Sequence, residues 1–187
     1  MDTIIAFFIG IGLAATCGFR VFVPLLGLSI ANHFGFVPLS HGFEWIGSAP
    51  AMIAFGVATA FEVGGYFIPW LDHLLDVIAT PAAVVAGAVI TVAMLGEMSP
   101  YLRWPLGIIA GGGVAGAVQG SSVLARGVST ATTGGLGNPL VAAGELAASI
   151  VGTVISIVLP VLAFILVCLI LYLIFRRMFR RKRSMEP

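Results

Sequence analysis

Three charged residues stand alone in apolar surroundings. Glu62 is the only charged side chain between Trp45 and Leu71, Glu145 the only one between Gly127 and Phe175, and Arg20 the only one between Asp2 and Glu44. An ionised group at bilayer depth costs at least a few kcal/mol, so each needs a polar partner or a water-filled path. Two carboxylates and one guanidinium could bind or relay a cation or a proton. Low dielectric favours the neutral acid and a neighbouring guanidinium favours the carboxylate, and a proton-coupled carrier needs the two in balance. The same residues could equally form a static buried ion pair that fixes helix packing, with little net stabilisation after desolvation.

A second group lies between Ser129 and Asn138. Thr132, Thr133 and Asn138 offer hydroxyl and amide groups, and Gly134, Gly135 and Gly137 free the backbone around them. Hydroxyls and carbonyls suit hard cations, and unwound amides suit anions. The same composition also makes an ordinary surface loop. Asn138-Pro139 reads as a helix start, with Asn as N-cap and Pro at the first position. Asp72 and Asp76, four apart around His73, are secondary candidates: a weak divalent-cation pair or a solvated turn. Gly112, Gly116 and Gly120 allow close helix approach, within the chain or at a homodimer seam. Catalysis finds no support. His33, His41 and His73 are scattered, no nucleophile motif is present, and Cys17 and Cys168 form no metal spacing. No metal or cofactor is expected.

The elements that must carry these residues are membrane helices. Of 187 residues 59% are hydrophobic and 9% charged, with mean hydropathy +1.11, whereas a soluble domain is about one quarter charged. Period-two segments of a barrel are missing. The expectation is an all-α polytopic membrane protein with five to six hydrophobic segments: about Thr3–Ala31, Ser48–Pro69, Val77–Gly96, Trp104–Ala125 and Pro139–Phe175. The first is interrupted by Gly18, Arg20 and Pro24, and Pro24 should bend or break its helix. The last would be about 55 Å long as one helix against a core of about 30 Å, so it kinks at Pro160, protrudes or holds a re-entrant piece. Breaks in both halves (16–24 and 127–139), each followed by a helix with one Glu, hint at an inverted repeat with its site at the broken helices.

Residues 1–175 read as one transmembrane domain and 176–187 as a basic cytoplasmic tail holding six of the nine Lys and Arg residues. That tail fits a cytoplasmic C-terminus and contact with anionic lipid. Five crossings would then leave the N-terminus outside. Nucleic acid is not an expected partner, because no folded basic surface accompanies the tail. The start Met-Asp lacks the basic region of a cleaved signal.

Three stretches also resemble one family. Gly12-Leu-Ala-Ala-Thr-Cys-Gly-Phe-Arg-Val-Phe-Val-Pro-Leu-Leu is similar to the opening motif of the DUF4126 family of bacterial membrane proteins. Ile68-Pro-Trp-Leu-Asp72 with Asp76 and Thr80-Pro81 resembles its segment after the second helix, and Thr132-Thr-Gly-Gly-Leu-Gly-Asn-Pro139 with Glu145 resembles its second-half signature. The resemblance covers roughly residues 5 to 165. It implies a small helical domain in a bacterial cytoplasmic membrane and names no activity. The expected function is a small transporter or channel for an ion or polar solute, not an enzyme, with Glu62 and Glu145 as coupling carboxylates. The rival is a non-transporting scaffold or assembly protein whose buried charges lock the packing.

Overall fold

The computed structural model describes the backbone of residues 2–65 and 69–183 and the side chains of residues 2–65 and 75–176. Seven helices follow one another: α1 Thr3–Cys17, α2 Phe22–His33, α3 Ala49–Gly65, α4 Pro69–Met94, α5 Pro100–Thr133, α6 Asn138–Val158 and α7 Pro160–Arg183. No strand occurs among the described residues. Leu75–Met94, α5 and α6 are each long and apolar enough to cross a membrane. The outward faces carry Val77, Val85, Ile109, Val151, Val154, Ile165 and Leu169, all exposed. An apolar belt of that extent belongs in lipid. Phe34, Phe36, Trp45, Tyr101 and Trp104 are exposed at one end of the bundle, where aromatic rings mark a headgroup boundary.

The first hydrophobic segment does not cross. Gly10 packs on Thr91 and Ala14 on Gly87, so α1 runs antiparallel to α4. Against α6, Gly12 meets Ser156, Gly152 meets Thr16, and Arg20 then reaches Ala142. Past the break the order reverses, and Gly27 of α2 lies against Thr153. Thus α1 and α2 form a re-entrant hairpin that enters and leaves at the same end, with its tip at Gly18–Val21. Pro24 sets the place of the break without lying in it. It occupies the first turn of α2, where a missing N–H costs nothing, and in a continuous helix its ring would clash with the carbonyl of Arg20.

The other helices pass between the two ends. α3 leaves Gly47, beside Asn32 at the end of α2, and carries Glu62 to the hairpin tip. α5 runs antiparallel to α4, from Gly107 beside Val92 to Arg126 beside Asp76. The long last segment divides at Leu159-Pro160 into two helices. Phe164 stacks on Phe8 at 4.4 Å and Val167 packs with Ile11 and Ala15, so α7 runs parallel to α1 and antiparallel to α6. Among the described residues five helices therefore run between the two ends of the bundle, three of them long and apolar enough to cross a membrane; the first segment contributes none and the last contributes two.

The second interruption is smaller than expected. α5 continues to Thr133, with Thr132 and Thr133 donating to carbonyls within their own helix, Thr132 to Val128 at 2.8 Å and Thr133 to Ser129 at 2.7 Å. The helix stops only at Gly134, whose φ of 64° gives a left-handed cap. The two halves consequently differ: one break is a hairpin tip inside the bundle, the other a turn at its end.

A π-helical stretch at Gly107–Gly112 presses α5 onto α4. A Cβ added at Gly111 would lie 2.5 Å from the carbonyl oxygen of Gly87. Gly111→Ala should cost about 1–3 kcal/mol, the range for overpacking, read as a lower unfolding midpoint in detergent. An unchanged midpoint would show that α5 has room to slide.

Candidate functional site

The hairpin tip creates a demand that Glu62 meets. The first N–H groups of α2 have no partner within the helix, and α2 has no side-chain cap of its own. The Glu62 carboxylate, from α3, accepts from both: Val21 N–H donates to Oε1 at 2.7 Å and Phe22 N–H to Oε2 at 3.1 Å. A carboxylate at a helix N-terminus also faces the positive end of the helix dipole. Glu62 thereby fastens α3 to the tip of the hairpin.

Arg20, in the turn itself and 2% exposed, points the other way. Its Nη2 donates to the carbonyl of Ala142 at 3.0 Å and stands 3.7 Å from Glu145. Glu145 is the centre of the cluster. Both its oxygens bond the guanidinium of Arg126, and Ser122 donates its hydroxyl proton to Oε1. Arg126 also donates to Asp76 at 2.6 Å. A guanidinium holding two carboxylates uses its planar fork of donors. Glu62 stands within electrostatic reach of both arginines.

The depth of this cluster is regular. Asp76, Arg126 and Glu145 each sit seven positions in from a helix end, at Pro69, Thr133 and Asn138 respectively. At 1.5 Å per residue that is about 10 Å below the end of the bundle opposite the aromatic rim. The hairpin brings Arg20 to the same level from the other side.

Of the sequence candidates, Arg20, Glu62, Glu145 and Asp76 are brought together. The Asp72 side chain lies outside the described residues. Thr132, Thr133 and Asn138 are placed in and beside the turn at the bundle's end. Thr133 Oγ1 accepts from Gly137 N–H at 2.9 Å, and the Asn138 amide donates to Thr130 at 3.1 Å. Asn138 thus does not cap α6 through its side chain; Gly137 precedes the helix, and Thr130 on α5 takes the amide instead. Arg126 and Ser122 are site residues that the sequence reading did not single out. Their signal was present: Gln119, Ser122 and Arg126 recur three and four apart, and all three are buried on one face of α5.

Among the described residues no group of three or more His, Cys, Asp or Glu side chains could hold a metal ion. An open pocket of about 250 Å³ lies elsewhere, at the aromatic end, between Thr3, Pro38–His41 and Met94–Glu97.

No characterised protein and no solved structure matches the chain. A family model described as a domain of unknown function, DUF4126, matches residues 7–180. That match spans the hairpin, all the charged residues of the cluster and most of α7, and the chain belongs to the DUF4126 family.

Proposed function

We propose that this protein is a small transporter or channel for an ion or polar solute, with the hairpin-tip cluster as its site and Glu62 and Glu145 as coupling carboxylates. One observation carries the reading. Among the described residues, three carboxylates (Glu62, Asp76 and Glu145) face two guanidiniums (Arg20 and Arg126) inside the bundle. Intramembrane charges of this kind mark ion pathways by default. A re-entrant hairpin supports the same reading, because non-helical backbone at membrane depth occurs where protein or a cavity covers it. The lipid-facing helices place the protein in a membrane. The basic residues from Arg176 onward support a cytoplasmic C-terminus next to anionic lipid, and the family resemblance supports a bacterial cytoplasmic membrane.

The scaffold reading has its own support. Glu62 and Glu145 each have both oxygens hydrogen-bonded without any ligand, so the cluster can also serve as a lock. Currents from proteoliposomes on supported membranes, recorded during pH, sodium and anion jumps, separate the two. The expected result is a wild-type current that Glu62→Gln loses while remaining monodisperse. A well-folded wild type that is silent in every jump, and that moves no labelled ion in exchange assays, would sink the transporter reading in favour of the scaffold.

A further inference from the structure

The aromatic end of the bundle carries a cation of its own. Arg20 and Arg126 lie in the buried cluster, and Arg176 lies at the far end of α7. Arg103, near the start of α5, is the only Lys or Arg among the described residues at the aromatic end. Its Nε is buried and bonds no described group. Its guanidinium carbon lies 5.9 Å from the centre of the Phe43 ring, and Phe43 lies 6.3 Å from Trp104. An aromatic face holds a guanidinium in place without satisfying its N–H donors. A charged donor left without an acceptor is costly, so the side chain gains from any acceptor that reaches it. Arg103 is partly exposed, and the exposed Trp45, Tyr101 and Trp104 set it at the headgroup layer. The acceptor at that depth is a lipid phosphate, which a guanidinium takes through two parallel N–H bonds.

An acidic pocket lies beside it. Arg103 N–H donates to the Ser99 carbonyl at 3.0 Å, two residues past Glu97, and Phe43 N–H donates to the Ser40 carbonyl at 3.0 Å. Glu97 and Ser40 line the open pocket of about 250 Å³, together with Thr3 and His41. Arg103 and Phe43 thus each stand one backbone turn from a pocket wall. Asp2, Glu44 and Glu97 are all exposed at this end. Glu44 is held by Gly42 N–H at 2.7 Å and by His41 at 3.5 Å, and Glu97 is the carboxylate that lines the pocket. Three acids around one arginine disfavour a headgroup of net negative charge and suit an ammonium. A phosphate joined to an ammonium by a short link is the headgroup of a zwitterionic phospholipid. A primary ammonium also donates hydrogen bonds, which a trimethylated one cannot, and the Glu97 carboxylate accepts them.

We propose that Arg103, Phe43 and Glu97 form a binding site for a phosphatidylethanolamine headgroup, with its phosphate on Arg103 and its ammonium in the pocket beside Glu97. The inference is independent of transport and needs only that the bundle sits in a membrane. The alternative use of Arg103 is snorkelling, in which the side chain touches headgroups without selecting among them.

The test is native mass spectrometry of the full chain released from detergent and titrated with dioleoyl phosphatidylethanolamine, phosphatidylcholine or phosphatidylglycerol. The expected result is retention of phosphatidylethanolamine at a half-saturating concentration about fivefold below that of either other lipid, the factor for one partly exposed ion pair. Arg103→Gln should abolish the preference. Glu97→Gln, at an exposed position outside every helix, should make phosphatidylethanolamine and phosphatidylcholine equal, and it decides if Arg103→Gln fails to fold. Equal retention of the three lipids by wild type, or an unchanged preference in either variant, overturns the proposal. Millimolar inorganic phosphate should leave the lipid bound; displacement would assign Arg103 to a free anion and overturn the lipid site.

Discussion

Exchanging Arg126 for Met should lower the stability of the folded protein by about 3–5 kcal/mol, the cost of leaving a buried charge without its partner. Arg126 is the one described side chain that bonds both Asp76 and Glu145. Removing it leaves the buried Glu145 of α6 facing the partly buried Asp76 of α4, with Arg20 3.7 Å from Glu145. Arg126→Lys should fall between, since a point charge replaces the fork that reaches both acids. The measurement is reversible unfolding in mixed micelles. The combination Arg126→Met, Asp76→Asn and Glu145→Gln should regain part of the loss, because the carboxylates Arg126 bonded are then neutral, although Arg20 loses Glu145. A loss below about 1 kcal/mol in the single variant would mean that water reaches the cluster and screens it.

Gly18→Val should prevent a stable fold. A Cβ at Gly18 would lie 2.5 Å from the Val118 Cβ and 2.6 Å from the Ala115 carbonyl oxygen. The first neighbour is a side chain and can be shortened; the second is helix backbone and cannot turn away. Overpacking by a single methyl already costs about 1–3 kcal/mol, and valine adds two further carbons at the hairpin tip. Size-exclusion profiles and unfolding midpoints report the outcome. Val118→Ala should rescue Gly18→Val only in part, because the Ala115 carbonyl stays. Gly120→Val is the control: no atom lies within 4 Å of a Cβ there, so its midpoint should stay near wild type. Equal behaviour of the two valine variants would contradict the packing of the tip on α5.

Much of this architecture is legible in the chain because lipid leaves few options. Isolated charges, Gly18 and Pro24, and Pro160 mark the places where helices end, since each acts through local sterics or desolvation. Direction is not local. Nothing in residues 3–33 states that α2 turns back; that follows from Gly27 meeting Thr153 and from Glu62 meeting the tip, contacts made far along the chain. The Thr-rich stretch misleads for a related reason. Thr132 and Thr133 read as loop formers, but inside a helix their hydroxyls can bond the preceding turn. Arg126 misleads because its ordinary surroundings, Ala125 and Gly127, carry no mark of burial; only the recurrence of Gln119 and Ser122 on its face does.

The hairpin also sets an order of events during synthesis. It is made before the helices that pack around it, and neither α1 nor α2, at 15 and 12 residues, is long enough to hold itself across a bilayer. The carboxylate that caps its tip emerges 41 residues later. The carbonyl that takes the Arg20 guanidinium emerges 122 residues later. At about 5–20 residues per second, Arg20 waits roughly 6–24 s for Ala142. The hairpin, made before the helices that hold it, is therefore seated after them.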